Sequence, residues 1–317
     1  MFDRPEPRPT PAELIRGLAV FAEPPTDEHS RIAEALGLES VPSSSEYSDL
    51  FLFQLYPYAS VHLGPEGMMG GEARERVAGF WKALGYQPPA EPDHLAALLG
   101  LYATLAEAAD GDRSEEAEAQ RRLIRESRAA LLYEHVSPWV FALLHRVGEL
   151  APRVYAEWAK LLEGVLKEEV STARPNDRAD TGAGAGQAVA LPLHLRVAPE
   201  LPDPRERGAA DFVAGLLAPV RSGFLLTRAD VARIASVCDV GLRAGERRYA
   251  LEHLLAQDPP AVLRALAAEA LRQSALHEER REWLGETASF FAKRAGHTAS
   301  LLEELAVEEA AKEEMAT

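Results

Sequence analysis

Glu91-Pro92-Asp93-His94 sets two carboxylates and an imidazole within four residues, directly after Pro88 and Pro89 and directly before the apolar run 95–99. Carboxylates beside apolar surface suit a guanidinium ligand, and an imidazole next to them can hydrogen-bond or titrate near neutral pH. Helix capping explains half of the pattern. Pro92 fits a first helical turn, where a missing N–H costs nothing, and Glu91 and Asp93 put negative charge at the positive end of a helix dipole. Capping requires neither His94 nor the two upstream prolines, whose stiffness fixes where acid and imidazole point, as a pre-organised recognition corner needs.

Other reactive residue types are thinly spread. A helical metal-dependent phosphohydrolase needs an ordered His-Asp pair, whereas here the order is Asp93-His94, and no two histidines are spaced four apart to support it. Gly182, Gly184 and Gly186 alternate in GAGAG, but no Gly-Lys-Ser/Thr follows, so a phosphate loop is not indicated. The single cysteine, Cys238, lies in the apolar pattern VARIASVCDV and reads as a buried structural thiol, which excludes an internal disulfide. Arg243, Arg247 and Arg248 read as a solvated helix start, with a clamp for a phosphate or an acidic partner surface as the sharper alternative.

The elements that must position these groups are helices. Apolar residues recur at about 3.6-residue spacing almost throughout, which predicts an all-α chain. Helices are expected at 11–22, 27–37, 44–55, 71–84, 92–109, 114–135, 137–150 and 152–170, then at 208–217, 228–238, 245–256, 259–276, 278–294 and 297–315. Thr10-Pro11-Ala12-Glu13 combines a capping box with proline at the first helical position, Thr227 with Asp230 repeats the box, and Gly85 and Gly111 are stops. STARPNDRADTGAGAGQAVA, from Ser171, reads as a linker or long surface loop, and LPLHLRVAPELPDPRE, 191–206, as extended chain. The expected organisation is a helical domain at 1–170, a Gly/Pro-rich segment at 171–207 and a helical C-terminal extension at 208–317.

Composition narrows the function classes. The chain has 317 residues, 47% of them hydrophobic, and a formal net charge of −16. That charge argues against a nucleic-acid partner, which draws on clustered Lys and Arg, and suits a basic ligand. Up to residue 170 there are 28 acids against 16 bases, and after it 22 against 18, so the acidity gathers in the part that holds Glu91 and Asp93. No apolar run reaches the roughly 18 residues of a membrane span, and MFDRPEPRPT lacks the apolar stretch of a secretory signal, so a cytoplasmic location without membrane insertion is expected.

The text around Glu91–His94 carries a further signal. Upstream, Tyr47, Leu50, Phe51 and Leu55 share one helical face that ends in the turn Tyr56-Pro57-Tyr58-Ala59-Ser60. Downstream, His135 precedes Trp139 by four residues. A tyrosine-bearing helix running into a P-Y-x-S turn, an EPDH signature at the head of a helix and a His-x-x-x-Trp element, in that order, resemble the TorD/DmsD/NarJ family of redox-enzyme maturation chaperones. The resemblance covers about residues 40–165.

The resemblance implies a compact TorD-like multi-helix bundle, with the helical extension as an addition to the family pattern. It implies a cytoplasmic chaperone without catalysis or cofactor of its own, monomeric or homodimeric. Its partner would be the catalytic subunit of a molybdopterin oxidoreductase, bound through a leader peptide or unfolded N-terminus so that cofactor is inserted and the enzyme assembled before export. A twin-arginine leader joins an arginine pair to an apolar stretch. Glu91 and Asp93 would meet the arginines, Tyr47, Phe51, Tyr56, Leu98 and Trp139 would line the groove, and His94 and His135 would bond peptide carbonyls or tune the site with pH. A helical scaffold or regulator that binds another protein through the same groove is the alternative.

Overall fold

The computed structural model describes residues 9–110, 117–173 and 190–316. Among these every regular element is a helix. Two compact units are present, and the chain crosses between them more than once. The first is built from the residues up to Leu52 together with Arg76–Ala173, the second from Phe53–Glu75 together with the residues after Ala173. The excursion Phe53–Glu75 is not marked by any shift in composition.

In the first unit, α1 (Pro11–Val20) starts as its sequence dictates: Thr10 Oγ1 accepts from the Glu13 amide at 3.2 Å, and the Glu13 carboxylate accepts from the Thr10 amide at 2.7 Å. In α2 (Asp27–Leu36) the third position is His29, whose Nδ1 accepts from the Thr26 amide at 3.0 Å while its Nε2 bonds Val20 O at 3.0 Å, tying α2 back to the end of α1. The short α3 (Ser44–Tyr47), boxed by Ser43 and Glu46, runs on as a π-helical stretch, Ser48–Gln54. This widened turn puts Phe51 in the core, edge-on to Tyr155 and Trp158, and turns Leu52 outward.

After α4 (Ala59–Leu63) and α5 (Gly71–Ala83), the chain enters α6 (Leu95–Ala109), which is apolar nearly all round and therefore central, buried by α1 and α7 (Glu118–Ala130). A second π-helical stretch, Leu131–Val136, leads without a break into α8 (Ser137–Leu150), which pairs with α9 (Arg153–Thr172). Trp158 Nε1 donates to Leu18 O at 2.8 Å, and the buried Tyr102 hydroxyl donates to the Glu169 carboxylate.

The second unit continues with α10 (Leu193–Arg196), α11 (Pro204–Arg207), α12 (Ala209–Leu216), α13 (Pro219–Ser222), α14 (Arg228–Val237), α15 (Arg247–Gln257), α16 (Pro259–Glu279), α17 (Arg281–Leu284) and α18 (Glu286–Ala316). Its spine is the hairpin of α16 and α18, on which Leu216, Phe224, Ile234, Leu251, Leu266 and Leu302 converge. The box at Thr227 forms as expected, with the Asp230 carboxylate accepting from the Thr227 amide at 2.8 Å. Gly223 is required where it stands, because its φ is +81° and a Cβ there would lie 2.2 Å from the Ala295 amide. The excursion is bound into this unit: Gln54 Oε1 accepts from the Ala229 amide at 3.0 Å, and a Cβ on Gly67 would meet Leu217 O at 2.7 Å.

Several expectations are corrected. Residues 191–206 include two single-turn helices, one with Pro192 at its N-cap and one capped by Asp203 before Pro204, in place of uniformly extended chain. The last two expected helices are one 31-residue helix, α18, and the break lies earlier, at Gly285 with φ +61°. Cys238 is half-buried and packs on the edge of the core. Gly111 and the GAGAG glycines lie outside the described residues.

Candidate functional site

His94 is the hinge of the Glu91–His94 corner. The helix begins at Leu95, three residues later than the proline pattern suggests, and His94 is its N-cap: the ring Nδ1 accepts from the Ala96 amide at 3.3 Å. Pro92 thus precedes the helix. It is held from outside by Trp81, whose Nε1 donates to Pro92 O at 3.2 Å, with Tyr86 edge-on to the indole at 6.3 Å. Pro88, Pro89 and Pro92 lie in this approach, and the indole bond ties the last of them to α5.

Electrostatics at the corner are set by burial against charge. Burial lowers the pKa of His94, and the carboxylates of Glu23, Glu91 and Asp93 pull the other way. Burial dominates, so the ring is held neutral, the state in which Nδ1 can accept a capping bond. Glu23 Oε1 stands 3.5 Å from that nitrogen. The same two acids, Glu23 and Glu91, face Tyr47, whose pKa is raised first by burial and then by both charges.

The sequence-derived site residues part into an exposed rim and a buried base. Glu91 is exposed, while Asp93 is 2% exposed and turned inward, so it is not the carboxylate an incoming cation meets first. The other exposed acid at the corner is Glu23, which follows α1 and which no local motif marks. Tyr47, Phe51, Leu98, His135 and Trp139 are all buried, at 8% exposure or less, and in this structure they form core and not an open trough. An apolar helix face packs inward unless something prevents it. Tyr56 is half-buried and belongs to the second unit.

The His-x-x-x-Trp element has a structural logic of its own. Trp139 Nε1 donates to His135 O at 2.7 Å across the π-helical turn, and the His135 ring lies 4.9 Å from that of Phe80. Burial, helped by the neighbouring Arg76 charge, pushes His135 down to about 4, so it is neutral at physiological pH.

Among the described residues no three His, Cys, Asp or Glu side chains converge to hold a metal ion, and no helix is long and apolar enough to cross a membrane. The rim offers negative charge, a rigid backbone turn and the half-exposed aromatic pair Trp81 and Tyr86. Negative charge beside aromatic faces is chemically suited to a cation attached to an apolar chain.

Comparison with curated proteins and with solved structures gives no match. Comparison with family models gives one, described as nitrate reductase delta subunit, over residues 26–145. The matched stretch contains Glu91–His94, the tyrosine helix and His135–Trp139, and leaves the C-terminal extension outside it. Over residues 26–145 this chain is therefore similar to the nitrate reductase delta subunit family, of the NarJ/TorD type, whose members are chaperones of molybdoenzyme maturation.

Proposed function

We propose that this chain is a cytoplasmic chaperone, not an enzyme, that binds the leader peptide or unfolded N-terminus of a molybdopterin oxidoreductase catalytic subunit and assists cofactor insertion and assembly before export. What carries the reading is an acidic rim beside the capped His94, made of Glu91, which lies inside the family match over residues 26–145, and Glu23, which lies just before it. The arginine pair of a twin-arginine leader would be bound by these two carboxylates, since charge-assisted bonds to guanidinium are the stronger kind. Its apolar stretch would lie against Trp81 and Tyr86. Asp93, Leu98, Phe51 and Trp139 would act from beneath by holding the turn in place, and Tyr47 by backing the two acids.

The test is calorimetric titration of a synthetic client leader, in Arg-Arg, Lys-Lys and Gln-Gln forms, into wild type and the double variant Glu23→Gln/Glu91→Gln. Replacing the arginines by glutamine, or both acids by glutamine, is expected to weaken binding about tenfold or more. Equal affinity for all three peptides would remove charge recognition from the mechanism. For the maturation step, loss of the gene should lower the molybdenum content of the client, and unchanged loading would refute a required role.

A further inference from the structure

The second unit holds a cleft of about 490 Å³ whose character is the reverse of the acidic rim. One wall is apolar and open: Phe53 is 50% and Met68 67% exposed, with Met69 beside them and Leu217 behind. The lining also carries Arg228, Arg247 and Arg248. In a chain of net charge −16, three guanidiniums lining one cleft run against the overall trend.

Their bonding leaves positive charge unspent. Arg247 donates to Leu226 O at 2.6 Å and Leu217 O at 3.4 Å, which fixes the side chain through neutral carbonyls, and the Asp230 carboxylate acts on it without forming an ion pair. Arg228 makes no hydrogen bond or ion pair among the described residues, and it stands close enough to Arg247 to lower the pKa of that residue, after burial as the larger cause. Arg248 is matched by Glu252 at 2.9 Å. Glu66 and Glu246 also line the cleft, yet neither is within ion-pair distance of the three arginines.

We propose that this cleft docks an acidic, apolar-bearing stretch of a partner polypeptide, with one carboxylate seated between Arg228 and Arg247 and neighbouring apolar side chains against Phe53, Met68 and Met69. Charge selects this occupant: two guanidiniums without an ion-pair partner attract an anion, and Glu66 and Glu246 in the same lining oppose a doubly charged phosphate more strongly than a singly charged carboxylate. The wall selects it too, because exposed methionines adapt to varied side chains, as a surface for unfolded segments must. The proposal does not rest on the leader reading, since a twin-arginine leader has the wrong charge for this cleft.

The experiment uses the full chain and fluorescence anisotropy with a short labelled peptide that alternates Asp and Glu with Leu and Phe. Two control peptides replace the acids by Asn and Gln, or the apolar residues by Ser. Expected are binding of the first peptide, about tenfold loss with either control and with Arg228→Gln, most of the affinity kept by Arg228→Lys, and weakening by Phe53→Ser. Circular dichroism checks that each variant is folded. No binding of the acidic peptide, equal binding of the neutral control, or wild-type affinity in Arg228→Gln would overturn the proposal. Displacement by pyrophosphate would make the cleft a small-anion site, and displacement by the Arg-Arg leader would merge it with the acidic rim; either result also overturns it.

Discussion

Acidification should destabilise the second unit through one side chain, His62. The ring is fully enclosed in α4, and its Nε2 donates to Tyr56 O at 3.0 Å. Burial is the chief reason its pKa falls from 6.5 to about 4; the bond to Tyr56 O opposes this and the Arg247 charge adds to it. The unfolded chain takes up the proton near 6.5, the folded chain only near 4. The contribution of the neutral ring is therefore complete above pH 6.5 and is lost as pH falls through the window between the two values. Integrated over that window, the loss between about pH 7 and about pH 5 is on the order of 2 kcal/mol. The perturbation is His62→Gln, whose amide can still donate to Tyr56 O but does not titrate. Urea unfolding by circular dichroism at both pH values, with hydrogen exchange to assign the loss to residues 53–75 and 190–316, should show wild type losing about 2 kcal/mol more than the variant. Equal losses, or a His62 NMR titration centred near 6.5, would refute the reasoning.

Three other outcomes follow from packing and capping. Gly223→Ala forces a Cβ onto the α18 backbone at a left-handed φ and should cost on the order of 2–4 kcal/mol, read as a fall in Tm by calorimetry. Tyr102→Phe strips the buried Glu169 carboxylate of its hydroxyl donor and should cost about 1–3 kcal/mol in urea unfolding. His94→Ala removes the ring acceptor of the Ala96 amide and should cost about 1 kcal/mol, with His94→Asn recovering most of it.

Where local chemistry decides, the sequence could be read directly. Thr10 with Glu13 and Thr227 with Asp230 form their boxes because each needs only residues three apart. The all-helical character and most helix positions follow from apolar spacing for the same reason. α6 starts three residues later than Pro92 predicts, because proline reads as a first-turn residue whereas the cap that forms is an imidazole, an uncommon substitute for the usual short oxygen acceptor. Glu23 was out of reach, since nothing local ties it to a histidine 71 positions later. The burial of Asp93 likewise depends on what packs over it, and the pattern of acids alone does not encode that. The assignment of Phe53–Glu75 to the second unit rests on close approaches at Gly67 and Gln54 that only the folded chain displays.

That excursion changes what the chain after residue 173 is for. A gene cut after residue 173 would keep the whole family-like stretch yet orphan Val61, Leu63 and the Gln54 amide, whose neighbours α13 and α14 come from the missing portion. The tail is thus less an appendage than the other half of a clasp, closed over a piece borrowed from the front of the chain. Two co-expressed halves divided at that point should accordingly purify as one particle, and the front half by itself should aggregate.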